Sequence, residues 1–515
     1  MLAKTESVAL VGSDARLIEV EVHVALGGLP TFRLVGLPAK SVVEAEQRTR
    51  AAVESLDHRW PQKRITANLA PGALRKEGTH FDLAIALGVL AADKRLDGQA
   101  IADWVCVGEL ALDGSIRPVR GVLASAIECR RAERRGLLCP SVNAPEAALI
   151  EGVETVAVSS LREAVEFFEG RWDPPKVLPM PPDVEPLVED LREVRGHEGA
   201  KRGLEIAAAG GHNLLMIGSP GSGKTMLAQR LPGILPEMSF EESMEVTKLY
   251  SIAGLLGEGR SLIRTRPFRA PHQHISTAGL IGGGHGLARP GEVSLADRGV
   301  LFLDELSLFR RDVLESLRGP LEEGVIRLAR SGGVVNYPAN FSLIAATNPC
   351  PCGFKEDPYR GCTCTPRQLR DHDAVISGPL LDRIDIQLVL DRLTRDELMG
   401  AGAEQGDSSA AVRERVEKAR LVQLERYGSA LKTNANVPKR ELMTHAELTP
   451  AARTDLADSI EKHHLSGRGV TRVLRVARTI ADLEGAGSIY PEHIADALLL
   501  RLCAIEEHFQ AEAGR

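Results

Sequence analysis

One stretch of the sequence carries the residue types needed to bind a nucleotide phosphate. The apolar run Leu214-Leu-Met-Ile leads into the spacing G-x-x-x-x-G-K-T, which is followed by helix-compatible residues. Glycines in such a loop let successive backbone N–H groups turn inward and bind an anion at a helix N-terminus. Lys224 can reach the β- and γ-phosphates, and the Thr225 hydroxyl can bind Mg²⁺. A chance glycine-rich turn is the alternative, which the strand, lysine and threonine together disfavour. The predicted nucleotide-binding residues, here called the P-loop, are Gly218, Ser219, Pro220, Gly221, Ser222, Gly223, Lys224 and Thr225.

A second apolar run ends in two acids about 80 residues after the P-loop. Gly299-Val-Leu-Phe-Leu is followed by Asp304 and Glu305, the arrangement in which a strand delivers a carboxylate to a magnesium ion. Asp304 is predicted to hold Mg²⁺ through water, and Glu305 to polarise the attacking water. By itself such a pair would be an ordinary strand end. Its position after a P-loop favours a catalytic pair.

A third apolar strand, Phe341-Ser-Leu-Ile-Ala-Ala-Thr, ends at Asn348. If this strand lies between the two earlier ones, Asn348 can orient the lytic water or contact the γ-phosphate. The alternative is an asparagine that caps a turn at the strand end.

Four of the eight cysteines lie within fifteen residues, in two C-x-C pairs. Two thiolate pairs that close a short loop can form a tetrahedral site, which suits structural zinc. The C-x-C spacing is tighter than the usual C-x-x-C, and reduced, unliganded thiols remain the alternative. The predicted zinc ligands are Cys350, Cys352, Cys362 and Cys364.

The segment from residue 260 to residue 289 contains five arginines, three histidines and no acid. A local cluster of this kind can bind a phosphate backbone although the net charge of the chain is −7. An aromatic content of 4% disfavours base stacking, so backbone contact is favoured over sequence readout. The alternative is that these arginines pair with acids of neighbouring subunits. The predicted DNA contacts are Arg264, Arg266, Arg269 and Arg289.

These motifs need more than one folded unit, and 515 residues are too many for a single core. Residues 1–172 alternate strand-like and helix-like patterns, and the segment 173–186 holds six prolines in fourteen residues, which predicts an extended linker. Residues 187–392 carry the nucleotide motifs, and residues 393–515 read as helices, most clearly at 410–427, 451–463 and 470–483. No run of 18 apolar residues and no export signal is present, which predicts a cytoplasmic protein.

The order of these motifs resembles AAA+ ATPases. Arg266-Pro-Phe-Arg-Ala-Pro-His, Arg289-Pro-Gly-Glu-Val-Ser and Ser377-Gly-Pro-Leu-Leu-Asp-Arg-Ile-Asp are similar to the magnesium-chelatase-like branch. The whole chain resembles the YifB/ComM family of bacterial ATPases. The fold class implied is α/β, a P-loop AAA+ core with a helical lid after a Lon-protease-like (ribosomal-protein-like) α+β domain.

The resemblance also implies how the parts act. It implies a ring, a hexamer, in which Arg383 reaches the γ-phosphate of a neighbour; a salt bridge among Asp382, Arg383 and Asp385 is the alternative. Arg468 would be a second sensor, with Arg472 and Arg475 as rivals. The family role is an ATP-driven DNA motor for branch migration in recombination during natural transformation. The alternative is a chelatase-like motor that remodels a protein partner.

In the front domain, residues 77–125 resemble the proteolytic domain of Lon. His80 stands in the place of the family's serine and Leu123 in the place of its lysine. Hydrolysis by that family needs a nucleophile and its base, and neither is present here. The resemblance therefore implies a shared fold without protease activity.

Overall fold

The computed structural model describes residues 1–27, 29–179, 189–257, 260–284, 288–330, 333–355, 357, 359–375, 378–393 and 406–508. The predicted proline-rich linker is described only as far as residue 179, where it contains no helix or strand. The rest of that linker lies outside the described residues.

The first part of the chain is built on a seven-stranded mixed sheet. Its strand order is β3-β4-β2-β1-β5-β8-β9, in which β2 is antiparallel to both β1 and β4 and every other neighbouring pair is parallel. A short ribbon of β6 and β7 lies beside it. The strands are β1 (Leu2–Val11), β2 (Asp14–Val24), β3 (Thr31–Val35), β4 (Arg64–Ala70), β5 (Trp104–Cys106), β6 (Glu109–Leu110), β7 (Ile116–Arg117), β8 (Gly136–Pro140) and β9 (Glu154–Val158).

Helices cover this first sheet. The helix α3 is buried on nearly every face because all its side chains except that of Asp82 are apolar or small. The helices α1 and α2 are separated by the single residue Glu44. The helices are α1 (Lys40–Val43), α2 (Ala45–Glu54), α3 (Asp82–Ala92), α4 (Gly98–Ile101), α5 (Val122–Arg131), α6 (Ala144–Ala147) and α7 (Leu161–Phe168).

The second part contains a five-stranded sheet in the order β11-β14-β17-β10-β18, in which every neighbouring pair is parallel. Parallel strands are covered on both faces, which explains their uninterrupted apolar runs. All three strands predicted around the nucleotide motifs are confirmed. The strands of this sheet are β10 (Leu214–Gly218), β11 (Phe268–Arg269), β14 (Val300–Leu303), β17 (Ser342–Thr347) and β18 (Ile386–Leu390).

Two short hairpins are added to this core. They are β12 (Gly282–Gly283) with β13 (Arg289–Pro290), and β15 (Val325–Arg330) with β16 (Gly333–Pro338). The helices of this part are α8 (Glu198–Gly210), α9 (Lys224–Ile234), α10 (Phe240–Ala253), α11 (Thr277–Ile281), α12 (Glu292–Leu295), α13 (Arg311–Ser316), α14 (Arg318–Glu323), α15 (Pro366–Val375) and α16 (Gly378–Leu381).

The last part of the chain is helical, as its periodicity predicted. The helix α17 begins after Ser408, whose side chain accepts a hydrogen bond from the backbone of Ala411, and Ser466 caps α20 in the same way. Their apolar residues share one core with α8 and α9. The helices are α17 (Ser409–Tyr427), α18 (Lys439–His445), α19 (Pro450–Lys462), α20 (Gly467–Leu483) and α21 (Pro491–His508).

The first part of the chain contacts the second through α10 and the β15–β16 hairpin. The Gly121 N–H donates to the carbonyl of Ser251 at 3.2 Å, and Lys248 pairs with Asp14 at 3.1 Å. A Cβ at Gly12 would lie 2.7 Å from a methyl group of Val335, so the β1–β2 turn fits closely against the hairpin. Within the described residues, no helix is long and apolar enough to cross a membrane.

Candidate nucleotide-binding site

The P-loop connects the end of β10 to the start of α9, so the phosphate-binding turn stands at the carboxyl edge of the sheet. Gly221 and Gly223 have φ angles of +81° and +86°, which side-chain-bearing residues rarely adopt. A Cβ at Gly218 would lie 2.6 Å from the carbonyl of Leu390. The glycines are therefore required by the turn itself and by the close approach of β18.

The Lys224 ammonium lies inside this loop. It donates to the carbonyls of Gly218 and Ser219 at 2.6 and 3.0 Å and to the amide oxygen of Asn348 at 3.2 Å. Burial lowers the pKa of Lys224, and the charges of Asp304 and Glu305 oppose that shift. A buried cation that only neutral oxygen atoms contact is strongly stabilised when a phosphate anion binds beside it.

Thr225 and Asp304 come together as the two motifs predicted. The Thr225 hydroxyl donates to the carboxylate of Asp304 at 2.7 Å. A hydroxyl and a carboxylate are the oxygen ligands that Mg²⁺ prefers, so the donor set fits the predicted ion. Glu305 follows with a φ of +52°, an uncommon conformation for glutamate, and its side chain is exposed. The other Asp304 oxygen accepts from the Glu305 N–H at 3.0 Å, which fixes this turn.

Asn348 lies where the strand order was predicted to place it. Because β17 is hydrogen-bonded between β14 and β10, Asn348 follows a strand that ends between the acidic pair and the P-loop. Its contact with Lys224 shows that the side chain faces the phosphate site. The role of Asn348 toward the lytic water stays a prediction.

Arg383 lies at the opposite edge of the same sheet. It precedes β18, and Leu214 pairs with Ile386, so Arg383 stands beside the start of β10. The five residues of β10 separate it from its own P-loop by about 16 Å. Arg383 is buried and ion-pairs with Glu322 of α14. The predicted alternative partners were Asp382 and Asp385, and nothing in the sequence indicated Glu322.

The lid arginines differ in exposure. The Arg468 side chain is 67% exposed and lies 3.8 Å from Glu322. Arg472 donates to the carbonyl of Ile384 at 2.9 Å and Arg475 to that of Val437 at 2.8 Å. Burial lowers the pKa of both, that of Arg472 to about 10. Arg472 therefore connects the lid to the core, Arg475 makes its hydrogen bond within the lid, and Arg468 is the arginine of the three at the surface.

A cavity of about 1210 Å³ lies between the core and the lid at this far edge of the sheet. Arg383, Arg468 and Glu322 line it. The P-loop and the Asp304–Glu305 pair are absent from its lining, because they occupy the opposite edge.

The four predicted DNA-contact arginines divide into two pairs. Arg266 donates to Glu242 at 2.9 Å and to three backbone carbonyls, and Arg269 binds Glu292 at 2.6 Å. Acids of the same chain that lie outside the segment therefore pair with Arg266 and Arg269, and the role of these two arginines as DNA contacts stays a prediction. Arg264 and Arg289 are exposed.

Arg289 is also close to the first part of the chain, which the sequence did not indicate. Burial, and then the charge of Arg289, lowers the pKa of Arg120, which precedes α5. The Tyr337 hydroxyl donates to the carbonyl of Ala288. The β15–β16 hairpin, the arginine segment and the first part of the chain thus meet at one surface.

The four predicted zinc ligands lie together, with their sulfur atoms all within 4.8 Å of one another. They begin two residues after Asn348, and their loop packs beside the P-loop. The donor set of four thiols is the one that suits zinc.

His80 and Leu123, which stand in the places of the Lon serine and lysine, do not form a catalytic pair. His80 is buried, its Nε2 lies 2.7 Å from the carbonyl of Val8, and burial lowers its pKa to about 4. Leu123 is fully buried in α5. A neutral, hydrogen-bonded imidazole and a leucine supply neither a nucleophile nor its base.

Comparison with known families covers most of the chain. Residues 190–398 match the model described as magnesium chelatase, subunit ChlI; residues 20–143 match that described as subunit ChlI of Mg-chelatase; and residues 406–501 match the C-terminal model of the same subunit. The parallel sheet, the P-loop and these matches define a magnesium-chelatase-like AAA+ protein.

Individual relatives narrow this class. The chain is 41% identical to competence protein ComM of Haemophilus influenzae over 506 residues, 96% of this chain and 97% of that protein. It is 40% identical to the uncharacterized protein YifB of Escherichia coli over 96% of both. The chain therefore belongs to the YifB/ComM family of magnesium-chelatase-like AAA+ ATPases. The magnesium-chelatase 38 kDa subunit of Rhodobacter capsulatus is 24% identical and covers 58% of this chain.

Proposed function

We propose that this protein is a ring-forming, ATP-hydrolysing motor that acts on DNA, as a ComM-like branch-migration helicase in recombination during natural transformation. The observation that carries the proposal is the separation of Lys224 and Arg383 on opposite edges of one sheet. A phosphate site on one edge and a buried arginine on the other make a subunit complementary to a second copy of itself. Head-to-tail association of such edges closes into a ring.

In the proposed reaction, Lys224 and the P-loop amides bind the phosphates of ATP. Thr225 and Asp304 hold Mg²⁺, which neutralises charge on the phosphates. Glu305, exposed beside Asp304, polarises the attacking water, and Asn348 positions it. Arg383 and Arg468 reach the γ-phosphate bound by the neighbouring subunit, for which a planar cation is suited. We place the functional boundaries at 1–172, 173–186, 187–392 and 393–515, with the Lon-like fold of the front domain as part of the proposal.

DNA binding is proposed for the surface where Arg264 and Arg289 are exposed and Arg120 approaches Arg289. Two neighbouring guanidinium groups repel each other, and a phosphate that binds between them relieves this repulsion. The full-length similarity to a competence protein supports the same class of substrate. The proposed cofactors are ATP, Mg²⁺ and one structural Zn²⁺ at the four cysteines.

A protein-remodelling motor is the second candidate, favoured by the chelatase models that match 190–398 and 406–501. ATPase turnover with no DNA and with single-stranded, duplex and branched DNA separates the two. We expect stimulation, strongest with branched DNA. A rate unchanged by all three would favour the protein partner.

Loss of the exposed arginines is expected to weaken DNA binding and its salt dependence. For Arg264→Ala with Arg289→Ala, the log–log slope of affinity against salt should flatten by about 0.7 to 0.9 per lost phosphate contact. Basal ATPase should persist, because both residues lie outside the P-loop and the acidic pair. Fluorescence anisotropy at several salt concentrations measures the slope.

The matched control is Arg130→Ala with Arg131→Ala, which removes the same charge from the exposed end of α5. A slope that flattens equally in the control would assign the effect to net charge. An unchanged slope in the first variant would remove Arg264 and Arg289 from the DNA surface.

A further inference from the structure

We propose that Zn²⁺ bound by the four cysteines holds the P-loop in its ATP-binding form, so that nucleotide binding by this protein depends on zinc. The segment concerned is the cysteine loop, residues 350–364. The inference rests on the proposed function, because it assigns to the zinc site a role in that nucleotide site.

The sulfur positions fit a tetrahedral zinc site. A Zn–S bond of about 2.3 Å places the sulfur atoms of a regular tetrahedron about 3.8 Å apart. The Sγ–Sγ distances in the structure are 3.3 Å for Cys350–Cys352, 3.7 Å for Cys350–Cys362 and 3.6 Å for Cys352–Cys362. Disulfide sulfurs lie about 2.05 Å apart, so the same distances exclude that pairing here.

The fourth cysteine and the backbone complete the arrangement. The Cys352 N–H donates to the sulfur of Cys364 at 3.3 Å, and the Gly353 N–H donates to the carbonyl of Cys350 at 2.9 Å. Hydrogen bonds from backbone to sulfur orient thiolate ligands and offset part of their negative charge. Cys350 is buried while Cys362 is exposed, so the site closes the loop against the protein body.

The cysteine loop packs directly on the P-loop. Gly353 has a φ of +82°, and a Cβ there would lie 2.6 Å from both Cγ and Cδ of Pro220. Within the same stretch, the Asp357 carboxylate pairs with Arg392 at 2.9 Å, and the side chain of Ser219 is among the groups that lower the pKa of Asp357. Two consecutive P-loop residues are therefore fixed by the loop that the cysteines close.

Apart from the Asp357–Arg392 ion pair and the packing of Arg360 and Arg392 on the Phe354 ring, the described part of the loop has few contacts that hold it. From residue 351 to residue 365, the described residues form turns and irregular backbone, with neither helix nor strand. Only Cys350 and Gly353 are buried among those from 350 to 364 whose burial is described. Coordination of one cation by four thiolates can fix the conformation of a loop that has no hydrophobic core. Removal of the ion is expected to release Pro220 and Ser219, and with them the phosphate site.

The test begins with the metal content of the purified full-length chain. We expect about one zinc per chain in the wild type and a large loss in Cys362→Ser, the most exposed ligand. Binding of a fluorescent ATP analogue should weaken at least about tenfold in that variant, because the P-loop loses the contacts that hold Pro220 and Ser219. Thr363→Ala is the matched control, since it changes an exposed residue between two ligands and leaves the thiols in place.

A second variant separates the effect of the zinc ion from the effect of the contact between Gly353 and Pro220. Gly353→Ala keeps all four thiols and forces the loop away from Pro220, so it should retain zinc and still lose ATP affinity. This variant also tests the contact if Cys362→Ser fails to fold. Wild-type protein without zinc would overturn the metal site. Wild-type ATP affinity in zinc-free Cys362→Ser, or in Gly353→Ala, would overturn the coupling. Zinc-loaded wild type that binds no ATP would instead contradict the proposed function.

Discussion

Glu305→Gln is expected to bind ATP as the wild type does and to hydrolyse it about 10² to 10⁴ times more slowly. The glutamate lies beside Asp304 in an exposed turn, and its backbone is fixed by the hydrogen bond from its N–H to the Asp304 carboxylate. The amide keeps the size of the side chain but cannot take up a proton from water. Steady-state phosphate release and binding of a fluorescent ATP analogue measure the two effects separately.

Lys224→Ala is the companion variant, because it should lose binding rather than turnover. Its ammonium is the cation inside the P-loop. Equal hydrolysis rates in wild type and Glu305→Gln would remove Glu305 from catalysis. Equal ATP affinity in wild type and Lys224→Ala would contradict the proposed phosphate site.

Arg383→Ala is expected to reduce ATPase by about 10³- to 10⁵-fold, the range known for an arginine that stabilises a transferring phosphoryl group. ATP binding by the separated subunit should remain, because Arg383 lies about 16 Å from its own P-loop. Mixing Arg383→Ala with Glu305→Gln should restore part of the activity. In such rings, some sites combine an intact Glu305 from one subunit with an intact Arg383 from its neighbour.

Arg453→Ala, an exposed arginine in α19 of the lid, provides the control for loss of one positive charge. If Arg383→Ala unfolds the protein, or if the mixture regains no activity, the ion pair with Glu322 is structural. The ion pair between Arg383 and Glu322 also affects the proposed ring. Arg383 must separate from Glu322 before it can reach a phosphate bound by another subunit.

The sequence by itself was sufficient for the nucleotide motifs. Gly218 to Thr225 and the Asp304–Glu305 pair are local patterns, and the physical reason for each residue, a positive φ or a phosphate-binding cation, acts within a few residues. The apolar runs at β10, β14 and β17 also follow from local pattern, because strands buried on both faces leave no polar alternation. The lid helices carry their own caps at Ser408 and Ser466.

Tertiary structure decided what depends on distant partners. Elements that meet only after folding supply the acidic partners of three arginines. These partners are Glu322 for Arg383, Glu242 for Arg266 and Glu292 for Arg269. Arg266 and Arg269 are thus in ion pairs within the chain, whereas Arg264 and Arg289 are exposed. The contact of Gly353 with Pro220 likewise joins residues more than a hundred positions apart. Spacing along a chain predicts which chemistry is available, whereas the packing of separate elements determines which groups remain exposed to perform it.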